Sequence, residues 1–201
     1  MSPRRANPQL AARRREALIK AGYAEILEKG ISGTTLDSVV ARAKSSKGGA
    51  LYYFPTKDAL LYAILEWLFR ELHQSLDGVV EAEDSARGKL VAELEVLFHS
   101  ADVNRKLYLV LFDFVSWGSR LERFRSLFAA FFEDCQRRDI RIIEQGLRDE
   151  QFRRVNPRAA AATMRALVDG YCLQWLMGPA DTPIEIYRDR CRRVLGAYLL
   201  R

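Results

Sequence analysis

Residues 33–57 constrain the fold more than any other stretch, because helical periodicity there is broken twice within a short span. Leu36, Val39, Val40 and Ala43 share one helix face. Thr34 followed by Asp37 has the pattern of a capping box, with a hydroxyl for an orphan amide and a carboxylate at the positive helix end. A short helix is therefore expected from about Thr35. Lys44-Ser45-Ser46 interrupts the periodicity and supplies a second cap. The next helix, about Lys47 to Tyr53, stops at Pro55, whose ring has no N–H and pushes the preceding residue out of the α region. A helix of six or seven residues does not hold alone in water, so its neighbours must prop it and its use lies in what it displays. It displays Lys47, Gly48, Gly49, Tyr52 and Tyr53, with Lys57 just beyond. Each glycine costs helix stability, about 1 kcal/mol, and lets a backbone approach another surface closely. Two short helices and a tight turn of this kind form a unit suited to entering a DNA groove.

The charge distribution points the same way. The 201-residue chain carries a formal +6, and residues 1–57 hold eleven Lys and Arg against four acids. The remainder holds 21 basic and 22 acidic residues, so the excess belongs to the segment with the two short helices. A polyanion is the partner such a segment attracts. Arg4 and Arg5, in a polar arm ahead of the first helix, are candidates for phosphate or minor-groove contact, and Arg13-Arg14-Arg15 for backbone contact.

These residues resemble the DNA-binding domain of the TetR family of bacterial transcription regulators. The match falls on Thr34, Thr35, Val39, Ala43, Ser46, Gly48, Phe54, Lys57, Leu60 and Leu61, and the run from Ser46 to Pro55 is similar to a subgroup of that family. The chain departs from the family pattern at Val40, Lys44, Leu51 and Tyr53, where Ala, Gly, Tyr and His are usual. The resemblance implies an N-terminal helix-turn-helix domain over residues 1–56 and a helical effector-binding and dimerisation domain over 57–201. Thr35, Lys44, Ser45, Ser46, Lys47, Gly48, Tyr52, Tyr53 and Lys57 are the expected DNA contacts.

The rest of the chain reads as helices only. A first helix from about Pro8 to Lys29 has the stripe Leu18, Ile19, Gly22, Tyr23, Ile26 and ends at Gly30. Thr56 caps a long helix from Lys57 toward Gly78, which at more than twenty residues reaches about 30 Å. Further helices are expected over about 86–101, 103–117 with Asp102 as cap, and 120–150 opened by a Ser119–Glu122 box. Asn156-Pro157 opens another to about Met177, and Thr182-Pro183 opens the last, to about Leu200. No run alternates with period two over a strand's length, so the fold class is all-α, about nine helices.

The helices from 86 to 150 are rich in aromatic residues with polar side chains among them, and buried polar groups need partners. Phe98, His99, Phe112, Asp113, Ser116, Trp117, Phe128 and Phe131 are therefore candidates to line the pocket of a small, largely apolar effector that the resemblance implies. The last two helices make an antiparallel pair whose Tyr171, Trp175, Tyr187, Cys191, Leu195 and Tyr198 are candidates for a homodimer interface. A two-fold protein presents two short recognition helices to a palindromic operator in double-stranded DNA. The two histidines, His73 and His99, share no metal-ligand spacing, and no HExxH, GxSxG, Walker or dinucleotide fingerprint is present. Neither an enzyme, a metal nor a cofactor is therefore expected. Cys135, Cys172 and Cys191, odd in number and without CxxC spacing, read as reduced thiols in a cytoplasmic protein. No apolar run is long enough for a membrane span. The alternative reading is a helical small-molecule binding protein with no role in DNA regulation.

Overall fold

The computed structural model describes residues 8–201, so the arm with Arg4 and Arg5 lies outside the described residues. Among those described, nine helices follow in order: α1 Pro8–Gly33, α2 Leu36–Arg42, α3 Lys47–Tyr53, α4 Lys57–Glu81, α5 Ala86–Leu97, α6 Ala101–Gly118, α7 Glu122–Arg148, α8 Pro157–Met177 and α9 Ile184–Leu199. Two compact units arise, one from the residues up to Phe69 together with Val110–Phe124, the other from Arg70–Leu109 and Arg125–Arg201. The chain of α4, α6 and α7 thus contributes to both.

In the first unit, α1, α2, α3 and the start of α4 close around Leu18, Ile19, Ile26, Val39, Ala50, Phe54, Leu60 and Ile64, all buried. Each large apolar side chain so buried contributes roughly 1.5–3 kcal/mol. Gly22 permits a close approach of α1 to α4, since a Cβ there would lie 2.5 Å from Ile64 Cδ1. The end of α1 bends rather than stops: Gly30 has φ +69 and the helix resumes for one turn to Gly33. The Ile31 peptide beyond the bend is fixed at both ends, its N–H donating to Asp113 Oδ2 at 2.5 Å and its carbonyl accepting from Lys57 Nζ at 2.6 Å. An added Cβ at Gly30 would be strained by φ and would sit 3.2 Å from Asp113 Oδ2.

The second unit packs α5, parts of α4, α6 and α7, and the α8–α9 pair. Its apolar core includes Leu90, Leu94, Phe98, Ile142, Met164, Val168 and Leu195. Trp175 is buried at the end of α8, with Nε1 donating to the Thr182 carbonyl at 2.9 Å. Gly146 lets Phe152 enter the core, where a Cβ would stand 2.3 Å from the ring. Phe152 then forms an isolated β-bridge with Leu200.

Several helix ends differ from expectation for local reasons. The capping box of α2 is closed by Thr35 and Ser38, with donor–acceptor distances of 3.1 and 3.2 Å, while the Thr34 hydroxyl turns back to the Gly30 carbonyl. Helix α5 ends at Leu97, short of 101, because the buried Asn104 side chain donates to the Leu97 carbonyl at 2.6 Å. Ser100 rather than Asp102 takes an orphan amide of α6, that of Val103. Helix α7 starts at Glu122, and the Ser119 hydroxyl donates to Ser116 O. Helix α9 has no side-chain cap at all, Thr182 being used through its carbonyl.

Candidate nucleic-acid interface

The turn between α2 and α3 is held by backbone conformation and one hydroxyl. Lys44 takes φ 48, the left-handed region, at the position where glycine would cost least. Ser46 then caps α3, its Oγ accepting the Gly49 N–H at 3.1 Å. Ala50 and Phe54, at 0% and 2% exposure, anchor the inner side of α3, and Arg15 of α1 lies over the Phe54 ring at 5.3 Å. Helix α2 is tied to α1 by Arg42, which donates to Glu25 at 2.6 Å and Glu28 at 2.5 Å. Lys29 completes the arrangement at 2.8 Å from Glu25. With those two cations on one buried carboxylate, Lys29 first and Arg42 next, the Glu25 pKa falls to about 2.

What remains outward is the probing surface. Tyr52 is 81% exposed and meets Tyr53 edge-on at 5.1 Å. Leu51 is 41% exposed, and an added Cβ at Gly48 would meet nothing within 4 Å, so the backbone there is open to an approaching surface. A groove of about 520 Å³ is lined by Arg14 and Ala11 of α1, Lys44, Ser45 and Ser46 of the turn, and Gly49, Tyr52 and Tyr53 of α3. Lys47 faces solvent and pairs with Asp37 at 2.9 Å.

Six of the residues expected to touch DNA, Lys44, Ser45, Ser46, Lys47, Gly48 and Tyr52, are brought together on this exposed face, with Tyr53 half-buried beside them. Two are otherwise engaged. Thr35 is exposed but its hydroxyl caps α2, and Lys57 reaches inward to the Ile31 carbonyl. Arg14, on a different helix and known from sequence only as part of a basic triplet, joins the groove.

The eight aromatic and polar pocket candidates fall in both units. Phe98 and Phe131 are buried in the second unit, where Phe131 packs against His73 at 5.0 Å, and Phe128 packs near Phe132. His99 is exposed on the rim of a shallow surface groove with Val79 and Val96. Asp113, Ser116 and Trp117 line an open cleft of the first unit, to which Phe112 also belongs. Of the interface candidates, Trp175, Cys191 and Leu195 are core residues of the protomer, 1% exposed or less. Tyr171 and Tyr187 meet edge-on at 6.1 Å and, with Tyr198, remain half-buried. The apolar side chains left outward on α8 and α9 are Leu173, Met177, Ile186 and Val194.

Sequence reasoning passed over a buried polar cluster in the second unit: Glu93, Arg138, Asp139 and Arg165 are each 9% exposed or less. The signal was available, since Glu93 lies in the stripe Leu90, Leu94, Leu97, and Arg138 and Asp139 sit between Cys135 and Ile142. The three cysteines are free and buried, and burial pushes Cys172 and Cys191 up to about 12. Among the described residues no group of three His, Cys, Asp or Glu could hold a metal ion. No helix described is long and apolar enough to cross a membrane.

Comparison with known proteins places these features in context. Residues 18–64 match the family of bacterial regulatory proteins, tetR family, and residues 86–200 match the C-terminal domain of BetI-type transcriptional repressors. The HTH-type transcriptional regulator BetI of Burkholderia mallei is 33% identical over 89% of each chain. The HTH-type nicotine-responsive transcriptional repressor HdnoR of Paenarthrobacter nicotinovorans is 25% identical over 94% of this chain and 95% of its own. Among solved structures, a transcriptional regulator from Saccharomonospora viridis in complex with choline superposes with a TM-score of 0.87, at 17% identity, over 94% of this chain and 99% of its own.

Proposed function

Since the chain belongs to the TetR family of bacterial transcription regulators, and so is a ligand-responsive DNA-binding regulator rather than an enzyme, we propose that it is a repressor. It binds a palindromic operator as a homodimer through the α3 face and is released by a small, largely apolar effector held in the second unit. It acts in the cytoplasm, where its DNA target lies. The observation that carries the DNA reading is the exposed side of α3, where Tyr52 and the bare Gly48 backbone stand beside the basic groove of Arg14 and Lys44. Phosphate contacts come from Arg14, Lys44 and Ser46, and base contacts from Leu51 and Tyr52.

The homodimer forms where Leu173, Met177, Ile186 and Val194 leave an apolar strip on α8 and α9. Half-sites then lie about 34–36 Å apart or a multiple of that. The effector acts by its difference in affinity for two arrangements of the protein, with α4 carrying the change toward the DNA-binding unit. The test is footprinting on the DNA around the protein's own gene. A protected two-fold sequence is expected, with affinity falling steeply as salt rises and with Lys44→Ala reducing the salt slope by about one. Salt-independent or absent DNA binding would leave a helical small-molecule binder instead.

A further inference from the structure

The outward side of α3 is nearly empty of hydrogen-bonding side chains. Its exposed residues Lys47, Gly48, Leu51 and Tyr52 follow at i, i+1, i+4 and i+5, which on a helix is one face. The opposite side holds Ala50 and Phe54 at 0% and 2% exposure, with Gly49 and Tyr53 half-buried at the margins. Packing therefore fixes which face a DNA groove meets, and its chemistry follows residue by residue.

Base edges in the major groove are told apart by a few pairings. Arg or Lys meets guanine, Asn or Gln meets adenine, Asp or Glu meets cytosine, and an apolar side chain meets the C5-methyl group of thymine. No Asn, Gln, Arg, Asp or Glu lies in α3. Its cation, Lys47, sits at the first position of the helix and is held by Asp37 at 2.9 Å. The Tyr52 ring is set edge-on to Tyr53 at 5.1 Å and carries a hydroxyl only at its tip. Leu51 has no polar atom at all, at a position where Tyr is usual in the family. At 41% exposure it keeps apolar surface in water, and the apolar group that a major groove offers in exchange is the thymine methyl.

The shape of the face agrees. Gly48 precedes Leu51 by three residues and Tyr52 by four, so both side chains are its neighbours one turn on. A Cβ at Gly48 would meet nothing within 4 Å. The result is a notch floored by bare backbone and walled by Leu51 and Tyr52. The group absent from its floor is itself a methyl.

We propose that Leu51 is the specificity-determining residue of the α3 face, selecting thymine in each operator half-site by enclosing its C5-methyl group against the Gly48 backbone. This inference rests on the DNA-binding reading above and names the chemical group that is read. Arg14, Lys44 and Ser46 hold the phosphates and carry no base information of their own. Because the methyl is recognised rather than a hydrogen-bonding edge, 5-methylcytosine at the same position presents the same feature.

The experiment selects duplexes from a random-sequence pool with the full-length wild-type protein. The selected duplex is then measured by fluorescence anisotropy with each thymine replaced in turn by deoxyuridine, which lacks only the methyl. A loss of about fourfold is expected at one or two thymines of a half-site, the factor that goes with about one methyl group of buried apolar surface, and none at the others. In Leu51→Ala, which should melt like wild type, thymine and uracil at those positions should bind equally, the non-additivity that marks a direct contact. Gly48→Ala separates the notch from folding. Alanine removes the helix cost of glycine, so Tm should hold or rise, while the filled notch weakens binding and shrinks the uracil effect. At the sensitive position, 5-methylcytosine should bind more tightly than cytosine. Uracil tolerated throughout, a uracil loss unchanged in Leu51→Ala, or equal binding of cytosine and 5-methylcytosine would overturn the proposal and leave the regulator reading standing. Selection of no duplex, with DNA binding absent at every salt concentration, removes the regulator reading and this inference with it.

Discussion

Glu25 in the first unit and Asp139 in the second are both buried carboxyl groups beside arginine, yet their environments push them in opposite directions. Glu25 receives Lys29 and Arg42, the latter shared with Glu28, and its pKa drops to about 2. Asp139 is desolvated next to Glu93, whose Arg138 is shared with Asp77, and its pKa rises. Desolvation is the first cause of the rise at Asp139, whereas at Glu25 the hydrogen bonds from Lys29 and Arg42 outweigh it.

Removing Arg138 should have the largest effect, because it leaves Glu93 buried without its cation. Arg138→Met is expected to destabilise the protein by about 3–5 kcal/mol, measured by urea unfolding monitored by circular dichroism. Adding Glu93→Leu to that variant should recover much of the loss, since replacing both partners of a buried pair by apolar groups is often neutral. A single variant as stable as wild type would mean that the cluster is hydrated and that the two units do not differ as described.

The next test uses pH, and the two carboxyls predict opposite slopes. A lowered pKa stabilises above the unfolded value, so the Glu25 contribution is complete above about pH 4.5 and is lost as pH falls toward about 2. A raised pKa does the reverse: the Asp139 contribution is complete below its unfolded value of 3.8 and fades as pH rises through its higher folded value. Glu25→Gln should therefore lower stability at pH 7, by about 1–3 kcal/mol, and flatten the acid limb of the stability profile. Asp139→Asn should flatten the limb on the neutral side and leave the acid limb alone. Melting curves collected across pH 2–8 distinguish the two, and identical profiles for both variants would remove the contrast.

How much of this was legible in the sequence follows from how local each determinant is. Helix α3 could be read to its last residue, because Ser46 and Pro55 act within one turn of the elements they bound. The end of α5 could not, because Asn104, on the next helix, takes the Leu97 carbonyl. Nor could the inward turn of Lys57, whose partner carbonyl exists only because Gly30 bends α1 and Asp113 holds the Ile31 N–H from a helix far along the chain. The buried acids were visible as polar residues in apolar stripes, but whether they lie unpaired depends on counting cations from α7 and α8 that only the fold brings near. The pocket candidates, grouped in the sequence by aromatic content, are divided by the fold between the two units.

The smallest effect concerns the DNA face itself, where the one cation on α3 is already spoken for. Lys47 Nζ lies 2.9 Å from Asp37 Oδ1, and the two side chains are 65% and 70% exposed. An exposed pair of this kind contributes little to stability, about 0–1 kcal/mol, so Asp37→Asn should leave the melting temperature nearly unchanged. On DNA the same carboxylate repels phosphate and competes for Lys47. Its removal should tighten binding by a few fold at low salt, with the gain shrinking as salt rises, because an additional phosphate contact steepens the salt dependence. Fluorescence anisotropy with a labelled operator fragment at several salt concentrations measures both. Unchanged affinity and slope in Asp37→Asn would mean that Lys47 faces away from the backbone when α3 is seated, and the outward set would narrow to Arg14, Lys44, Leu51 and Tyr52.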